Sequence, residues 1–438
     1  MRNQLLMAAA PALALLLSAC GGSKTPACQG VTGTCVALDE GASESKVAAA
    51  FAQAAAGSTV AFGEGTFRFT NTLNLAAKNV TVKGAGLDKT VLDFSGQAAG
   101  AGGLLVSDGS DGTVLVDFTI RDTKGDGIKV VGSNGVTFRR LKAIWTGANP
   151  TLHGSYGFYP VQSQNVLIED SVVIGASDAG IYVGQSKNII VRRNRAEQNV
   201  AGIEIESSFD ADVYENTAQD NVGGILVFDL PNLPQEGGHN VRVFNNTMRA
   251  NNRLNFSAPG ATVHLIPAGT GFLVMANHDV EVFGNQILDN NTGGSAVISY
   301  FVTGNDPKQD PHYYPYPLRV YLHDNTFVGN GTSPDGLNGI GTLLLLSIKS
   351  FNGSTVSNQL YDGIVDPGVT GPTGNPMRIC FKNNSNPTFG DLHLDQLNGN
   401  ATNLPQILTQ DATAFTCELP PLPAITLALA PDHTAGER

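Results

Sequence analysis

Residues 165–228 read NVLIEDSVVIGASDAGIYVGQSK, then NIIVRRNRAEQNVAGIEIESSF, then DADVYENTAQDNVGGILVF. Each line opens with a short alternating strand (Val166-Leu167-Ile168; Ile189-Ile190-Val191; Val213-Tyr214). It passes through a polar turn, then a Gly followed by a second alternating strand (Gly180-Ile181-Tyr182-Val183; Gly202-Ile203-Glu204-Ile205; Gly224-Ile225-Leu226-Val227). Ile168 and Val191 are 23 residues apart, Val191 and Val213 are 22 apart. A period in the low twenties, with two or three short strands per unit and no helical spacing, defines a solenoid. One unit cannot bury its apolar side alone, so each must stack on its neighbours.

A second position gives the same register. Pairs of Asn five residues apart recur in five successive units: Asn194/Asn199, Asn216/Asn221, Asn246/Asn251, Asn285/Asn290 and Asn325/Asn330. Asn tolerates left-handed backbone and bonds locally, so these residues are read as stacked turns, architecture and not a site. Working outward, units follow at Val116, Phe138, Val243, Val282 and Leu322, with spacings that widen to 30, 39 and 40 where loops enter. One set of insertions precedes the second strand (147–156, 253–269, 331–340) and another follows it (229–239, 300–317). Both flank the second strand and are expected to wall a groove on one face, since solenoids carry function on insertions. The last regular rung is expected near 343–348.

Composition agrees. The chain has 438 residues, 51 of them Gly, and 42% hydrophobic residues, which suits a Gly-turned β protein and not a disordered one. A net charge of −12 without an extended basic cluster disfavours nucleic acid. At the start, Arg2, an apolar run to Leu17 and then Leu17-Ser18-Ala19-Cys20-Gly21 read as a secretory signal. Cys20 in this context resembles the bacterial lipobox, which implies cleavage before Cys20, a diacylglyceryl thioether and an outer-membrane anchor facing the periplasm; an ordinary signal peptide is the alternative. Nothing later is apolar for long enough to span a bilayer. An exported chain keeps disulfides; the remaining Cys28, Cys35, Cys380 and Cys417 allow three pairings, of which proximity favours Cys28–Cys35 and Cys380–Cys417.

The expected organisation is therefore signal peptide 1–19, lipidated Cys and tether 20–40, N-terminal cap 41–78, β-helix 79–350, and C-terminal cap and tail 351–438. Ser43 to Ala56 reads as one capping helix. The strands of Thr59–Phe69 and Val80–Gly86 follow it, and this order resembles the start of pectate-lyase-like right-handed β-helices. The fold class is all-β: a single-stranded right-handed parallel β-helix with an N-terminal capping helix.

Strand alternation sorts the second strand into two rows. Ile128, Phe158, Ile181, Ile203, Ile225 and Phe272 point inward; Lys129, Tyr159, Tyr182, Glu204, Leu226 and Leu273 point outward, followed two residues on by Val131, Val161, Gly184, Glu206, Phe228 and Met275. The outer face therefore presents Tyr159, Tyr182, Glu204 and Glu206, with Asp178, His153, Asp229 and His239 on adjoining turns. Aromatic faces beside carboxylates suit a sugar. Glu204, Glu206, Asp178 and Tyr182 are the acid/base candidates; Tyr159, Tyr182, Glu204, Glu206, His153 and Asp229 are the ligand-binding candidates. Paired carboxylates also suit Ca²⁺, or are simply solvated.

Two further resemblances bear on function. Tyr156-Gly157-Phe158-Tyr159-Pro160-Val161-Gln162-Ser163 resembles the segment of bacterial alginate C5-epimerases that carries Tyr-Gly-x-Asp-Pro-His-Asp. Tyr159, Val161 and Gln162 stand where that motif has Asp, His and Asp, so its acid/base groups are absent here. The segments YGFYPVQSQNVLIEDS, SDAGIYVGQSKNIIVRRNRAEQNVAGIEIES and GGILVFDLPNLP resemble exported parallel β-helix repeat proteins of Gram-negative bacteria over about residues 60–350. That resemblance implies an uncharacterised function and a partner resembling a dihaem c-type cytochrome. Three roles follow: a non-catalytic carbohydrate-binding or scaffold lipoprotein; a lyase, epimerase or hydrolase on acidic glycans; or a partner of an envelope electron-transfer protein.

Overall fold

A computed structural model describes residues 26–98, 100–351, 354–397 and 399–429. The signal-like segment and Cys20 lie outside the described residues. The chain coils as a three-sided parallel β-helix. Val136, Val166, Ile189, Ala211, Val241, Val280, Val320 and Ile379 stack as one inward column. Ala143, Val173, Ala196, Ala218, Met248, Ile287 and Phe327 stack as a second. These two sides form one 20-stranded sheet, and an 11-stranded sheet forms the third side. In the smaller sheet Phe158, Ile181, Ile203, Ile225 and Phe272 are all fully buried, the inward row expected from alternation.

The corners are made by residues that accept positive φ. Asn165, Asn188, Asp210, Asn240 and Asp279 occupy one corner with φ between 49 and 57°. The expected Asn ladders are present. Asn221 Nδ2 donates to Asn251 Oδ1 at 2.9 Å, and Asn221 Oδ1 accepts from both the backbone N and Nδ2 of Asn199 at 3.0 Å. Such amides satisfy buried turn groups that no strand can reach.

The capping helix spans Glu44–Ala52, ending four residues before Ala56, with Ser43 Oγ accepting from Lys46 N. It buries Val47 and Phe51 over the first coil, where Phe51 meets Phe62 at 6.1 Å between centroids. Both disulfides pair as proximity favours, Cys28–Cys35 and Cys380–Cys417. Among the described residues no helix is long and apolar enough to cross a membrane.

The C-terminal part departs from expectation. Residues 343–348 are not a rung. Gly339–Ser347 is a helix, its first N–H groups capped by Asn338 Oδ1. Four consecutive leucines fill both parities of a strand, so alternation does not hold them, and the Asn cap starts a helix instead. Paired strands resume beyond it at Gln359–Tyr361, Ile379–Lys382 and Phe389–Asp391, past the boundary read at 350. The Pro-rich tail, which carries no core signal, lies ordered along the outside of the larger sheet. Leu422 N, Ile425 N and Ala428 N donate to Glu281 Oε2, Asp212 Oδ2 and Asn165 Oδ1. Each three-residue step crosses two rungs. Three residues of polyproline II rise about 9.3 Å and two strand spacings are about 9.6 Å, so the two repeats match.

Candidate functional site

The outer row of the smaller sheet is in the register read from sequence: Lys129 beside Tyr159, Tyr182 beside Glu204, Glu204 beside Leu226, Leu226 beside Leu273. Its environment differs from a solvated groove. Glu204 is 2% exposed and Glu206 7% exposed, so the solvated reading does not hold. The inserted loops fold down onto the face instead of standing as walls. Val263, Ile266, Tyr300 and Tyr313 pack on Leu226, Phe228, Leu273 and Met275 as a second apolar core outside the coil. Tyr313 Oη donates to the Asp229 carbonyl at 2.6 Å, and Asp310 Oδ2 accepts from Asn232 N, which locks the two following loops together.

At the edge of this outer core sits a cluster of phenols and carboxyls. Tyr156, from the 147–156 insertion, packs 4.6 Å from the rings of both Tyr159 and Tyr182. Tyr182 Oη donates to Glu206 Oε1 at 2.6 Å. Gly184 makes this geometry feasible, because a Cβ there would overlap the Tyr182 ring. Glu204 lies close enough to Glu206, and Asp178 to Tyr156, for each to shift the other's proton affinity. Glu204 Oε2 is buried without a hydrogen-bond partner among the described residues.

Burial dominates the electrostatics. It pushes Glu204 well above the carboxylate range, with the charges of Asp178 and Glu206 adding to the effect. Asp178 is pushed up to about 7 by burial and by Glu206, against the Tyr156 hydrogen bond. Glu206 is raised by burial despite bonds from Tyr182 and Glu204. Tyr182 and Tyr156 are held neutral, first by burial and then by the neighbouring carboxyls. Like charges packed this closely cannot all ionise, so the cluster retains protons near neutrality.

Of the remaining candidates, Asp229 reaches the cluster only through its charge, which adds to the Glu206 shift. Asp229 accepts from Gly237 N and Gly238 N at 3.0 Å and organises its own loop; burial raises it to about 6. Both ring nitrogens of His153 face carbonyls, Gly175 O at 2.6 Å and Gly147 O at 2.9 Å, and its ring stacks near Trp145. His239 packs at a tilt against Phe209, 4.4 Å between ring centroids. Among the described residues no three His, Cys, Asp or Glu side chains converge on a cation position.

Toward the N-terminal end the same face stays open. A cleft of about 400 Å³ is lined by Thr72, Leu105, Lys124, Asp126, Lys129 and His153. Lys129, one of these lining residues, has its Nζ 4.4 Å from the centroid of the Tyr159 ring. Burial raises the Asp126 carboxyl, opposed by Lys129 and by the Tyr156 N–H. Lys124, Asp126 and Tyr156 were not legible as site residues, because they lie in turns and an insertion that carry no period. Lys129 had a signal: it precedes Tyr159 and Tyr182 in the outward row.

With this geometry in place the class is defined. The right handed beta helix region model matches residues 68–232 and 142–306, together more than half of the 438 residues, and the chain belongs to that family. No curated protein sequence matches the chain. Among solved structures it is similar to the Azotobacter vinelandii mannuronan C-5 epimerase AlgE4 A-module, with 17% identity over 81% of this chain and 93% of that one, TM-score 0.49. It is also similar to an alginate lyase from Paenibacillus sp. str. FPU-7, with 15% identity over 68% and 94%, TM-score 0.40. A third is DFA-IIIase from Arthrobacter chlorophenolicus A6, with 11% identity over 75% and 88%, TM-score 0.39. At these identities the likeness is one of fold.

Proposed function

We propose that the protein is a non-catalytic glycan-binding lipoprotein of the bacterial envelope, anchored through Cys20, which holds an acidic sugar chain in the open cleft of the smaller sheet. The observation that carries this reading is an open cleft of about 400 Å³ that presents Lys124 and Lys129, with Lys129 lying over the neighbouring Tyr159 ring. That size suits a bound sugar unit or two. Lysines attract a uronate carboxylate, and the Tyr159 ring under Lys129 positions its ammonium.

The buried carboxyls support binding over turnover. Glu204, Glu206 and Tyr182 lie under covering side chains, and Asp178 keeps a proton until about pH 7. They fix the position of Tyr159 through Tyr182 and Tyr156. Calorimetry with oligouronates and neutral oligosaccharides of the same length, with and without Ca²⁺, tests the proposal. Acidic oligomers should bind with an affinity that falls with salt, and Lys129→Ala and Tyr159→Ala should each weaken it at least about tenfold, or ~1.4 kcal/mol. Equal binding of neutral chains, or an unchanged Lys129→Ala affinity, would overturn it. The anchor is tested by metabolic labelling with an alkynyl fatty acid, which Cys20→Ala should abolish.

A further inference from the structure

A second hollow lies farther along the same face, under the leucine helix Gly339–Ser347. The outward row of large side chains, Leu226 and Leu273, drops to a methyl at Ala296 before rising again at Leu360. Gly293 lies one outward position before Ala296 on that strand. Above this gap sit Ile340, Leu343 and Leu344, with Ile266 and Val302 at the sides. The resulting cavity is about 90 Å³. It is smaller than the roughly 150 Å³ engineered apolar cavity that stays dry and takes benzene, and it has room for a few carbons.

The lining sets the chemistry of the occupant. Among the described residues no charged side chain borders the cavity. Of its five hydroxyls, four already donate to backbone carbonyls: Thr270 to Pro267, Thr292 to Ala268, Ser295 to Asn358 and Thr303 to Tyr300. A polar ligand would lose its water and gain almost no partner, which disfavours it strongly. An unbranched hydrocarbon loses nothing there.

An independent observation sits around the helix. Leu337 is 85% exposed, Leu346 64% and Leu345 41%, all within ten residues. The helix sequence GIGTLLLLS carries no charge. Apolar residues grouped like this on a surface mark contact with a membrane or a partner. A bilayer supplies both things the site lacks, a cover for the leucines and an apolar chain end for the hollow.

We propose that the hollow between Ala296 and the leucine helix binds the end of an acyl chain, drawn from a phospholipid bilayer on which Leu337, Leu345 and Leu346 rest. The site is independent of the glycan cleft and of any lipid on Cys20. The test uses the full mature chain with Cys20→Ala, so that no lipid on that thiol contributes. cis-Parinaric acid should give saturable fluorescence that dodecanoate displaces. Ala296→Phe fills the gap and should weaken probe binding at least tenfold with an unchanged thermal midpoint and unchanged oligouronate binding. The protein should float with phosphatidylcholine vesicles, and Leu346→Asp should reduce the floated fraction several-fold. Absence of saturable probe binding, or wild-type probe affinity in Ala296→Phe, would overturn the site. Probe binding without flotation would overturn the bilayer as its source.

Discussion

Neutralising Asp178 should change how stability depends on pH. Its folded-state value lies near 7 against an ordinary 3.8, because burial and the Glu206 charge disfavour the anion. Between those values the folded chain holds a proton that the unfolded chain has released. The unfolded state then binds fewer protons, so stability falls as pH rises through this window and levels off above about 7. A shift of roughly three units corresponds to about 4 kcal/mol at most. Paired carboxylates work in the opposite sense, but lower down. Arg193 hydrogen bonds hold Asp170 below the ordinary range; at Glu169 burial is outweighed by Arg139 and Arg192. Their contribution is lost only as pH falls below about 4. Thermal midpoints from pH 5 to 8.5 at fixed ionic strength therefore report the raised buried carboxyls, Asp178 with Asp229 and Asp362, and Asp178→Asn separates its share. At about 1 °C per kcal/mol for a chain of this length, the Asp178 share should lower the wild-type midpoint by roughly 3–4 °C across that range. Asp178→Asn keeps an acceptor for Tyr156 and should flatten much of the slope, being the more stable of the two at pH 8. Midpoints that rise with pH, or an Asp178→Asn slope equal to wild type, would refute the reasoning.

Other expectations follow from single contacts. Asn221→Ala removes a ladder amide and leaves the buried Asn199 N–H without its acceptor, at a cost of about 2–4 kcal/mol; hydrogen exchange should show the loss in the neighbouring rungs first. The paired Cys380→Ser, Cys417→Ser variant opens a loop of 37 residues and should cost about 4 kcal/mol. Exchange at residues 419–428 should accelerate in it, since the tail is tethered at Cys417. Gly184→Ala should drive the Tyr182 ring off Glu206 and weaken oligouronate binding through Tyr159; an unchanged affinity would show that Tyr159 is positioned without Tyr182.

The coil was legible because two periods coincide in it. The strand period of two sorted Ile181 and Ile203 inward and Tyr182 and Glu204 outward. The rung period stacked Asn199 on Asn221, and both signals repeat often enough to fix register. The covering of the outer face was not legible, since Val263, Ile266, Tyr300 and Tyr313 lie in insertions that occur once each. Their contacts with Phe228 and Met275 are set by three-dimensional fit. The leucine run failed for a related reason: it satisfies strand and helix burial equally, and Asn338 decided between them. The tail was missed because its partners are carboxylates and an amide, Glu281, Asp212 and Asn165, not apolar residues.

The same burial argument decides what to expect of proton abstraction. A base for C5 of a uronate must be ionised and within reach of the sugar proton. The positions that resemble the epimerase motif hold Tyr159, Val161 and Gln162, and Val161 is itself buried. Glu204 and Glu206 are covered and raised, and Asp178 is half protonated near pH 7. Asp126 borders the cleft, yet it too is raised and faces Lys129. Polyuronates incubated in heavy water at pH 7, with or without Ca²⁺, should thus gain no deuterium at C5 and no unsaturated ends. The informative comparison is with pH 8.5, where Asp178 ionises and only its access to substrate limits it. Exchange that appears there and disappears in Asp126→Asn, with oligouronate affinity intact, would make the cleft catalytic and displace the binding-only reading. Exchange lost in Glu204→Gln would instead require the loops over Leu226 and Leu273 to open during turnover.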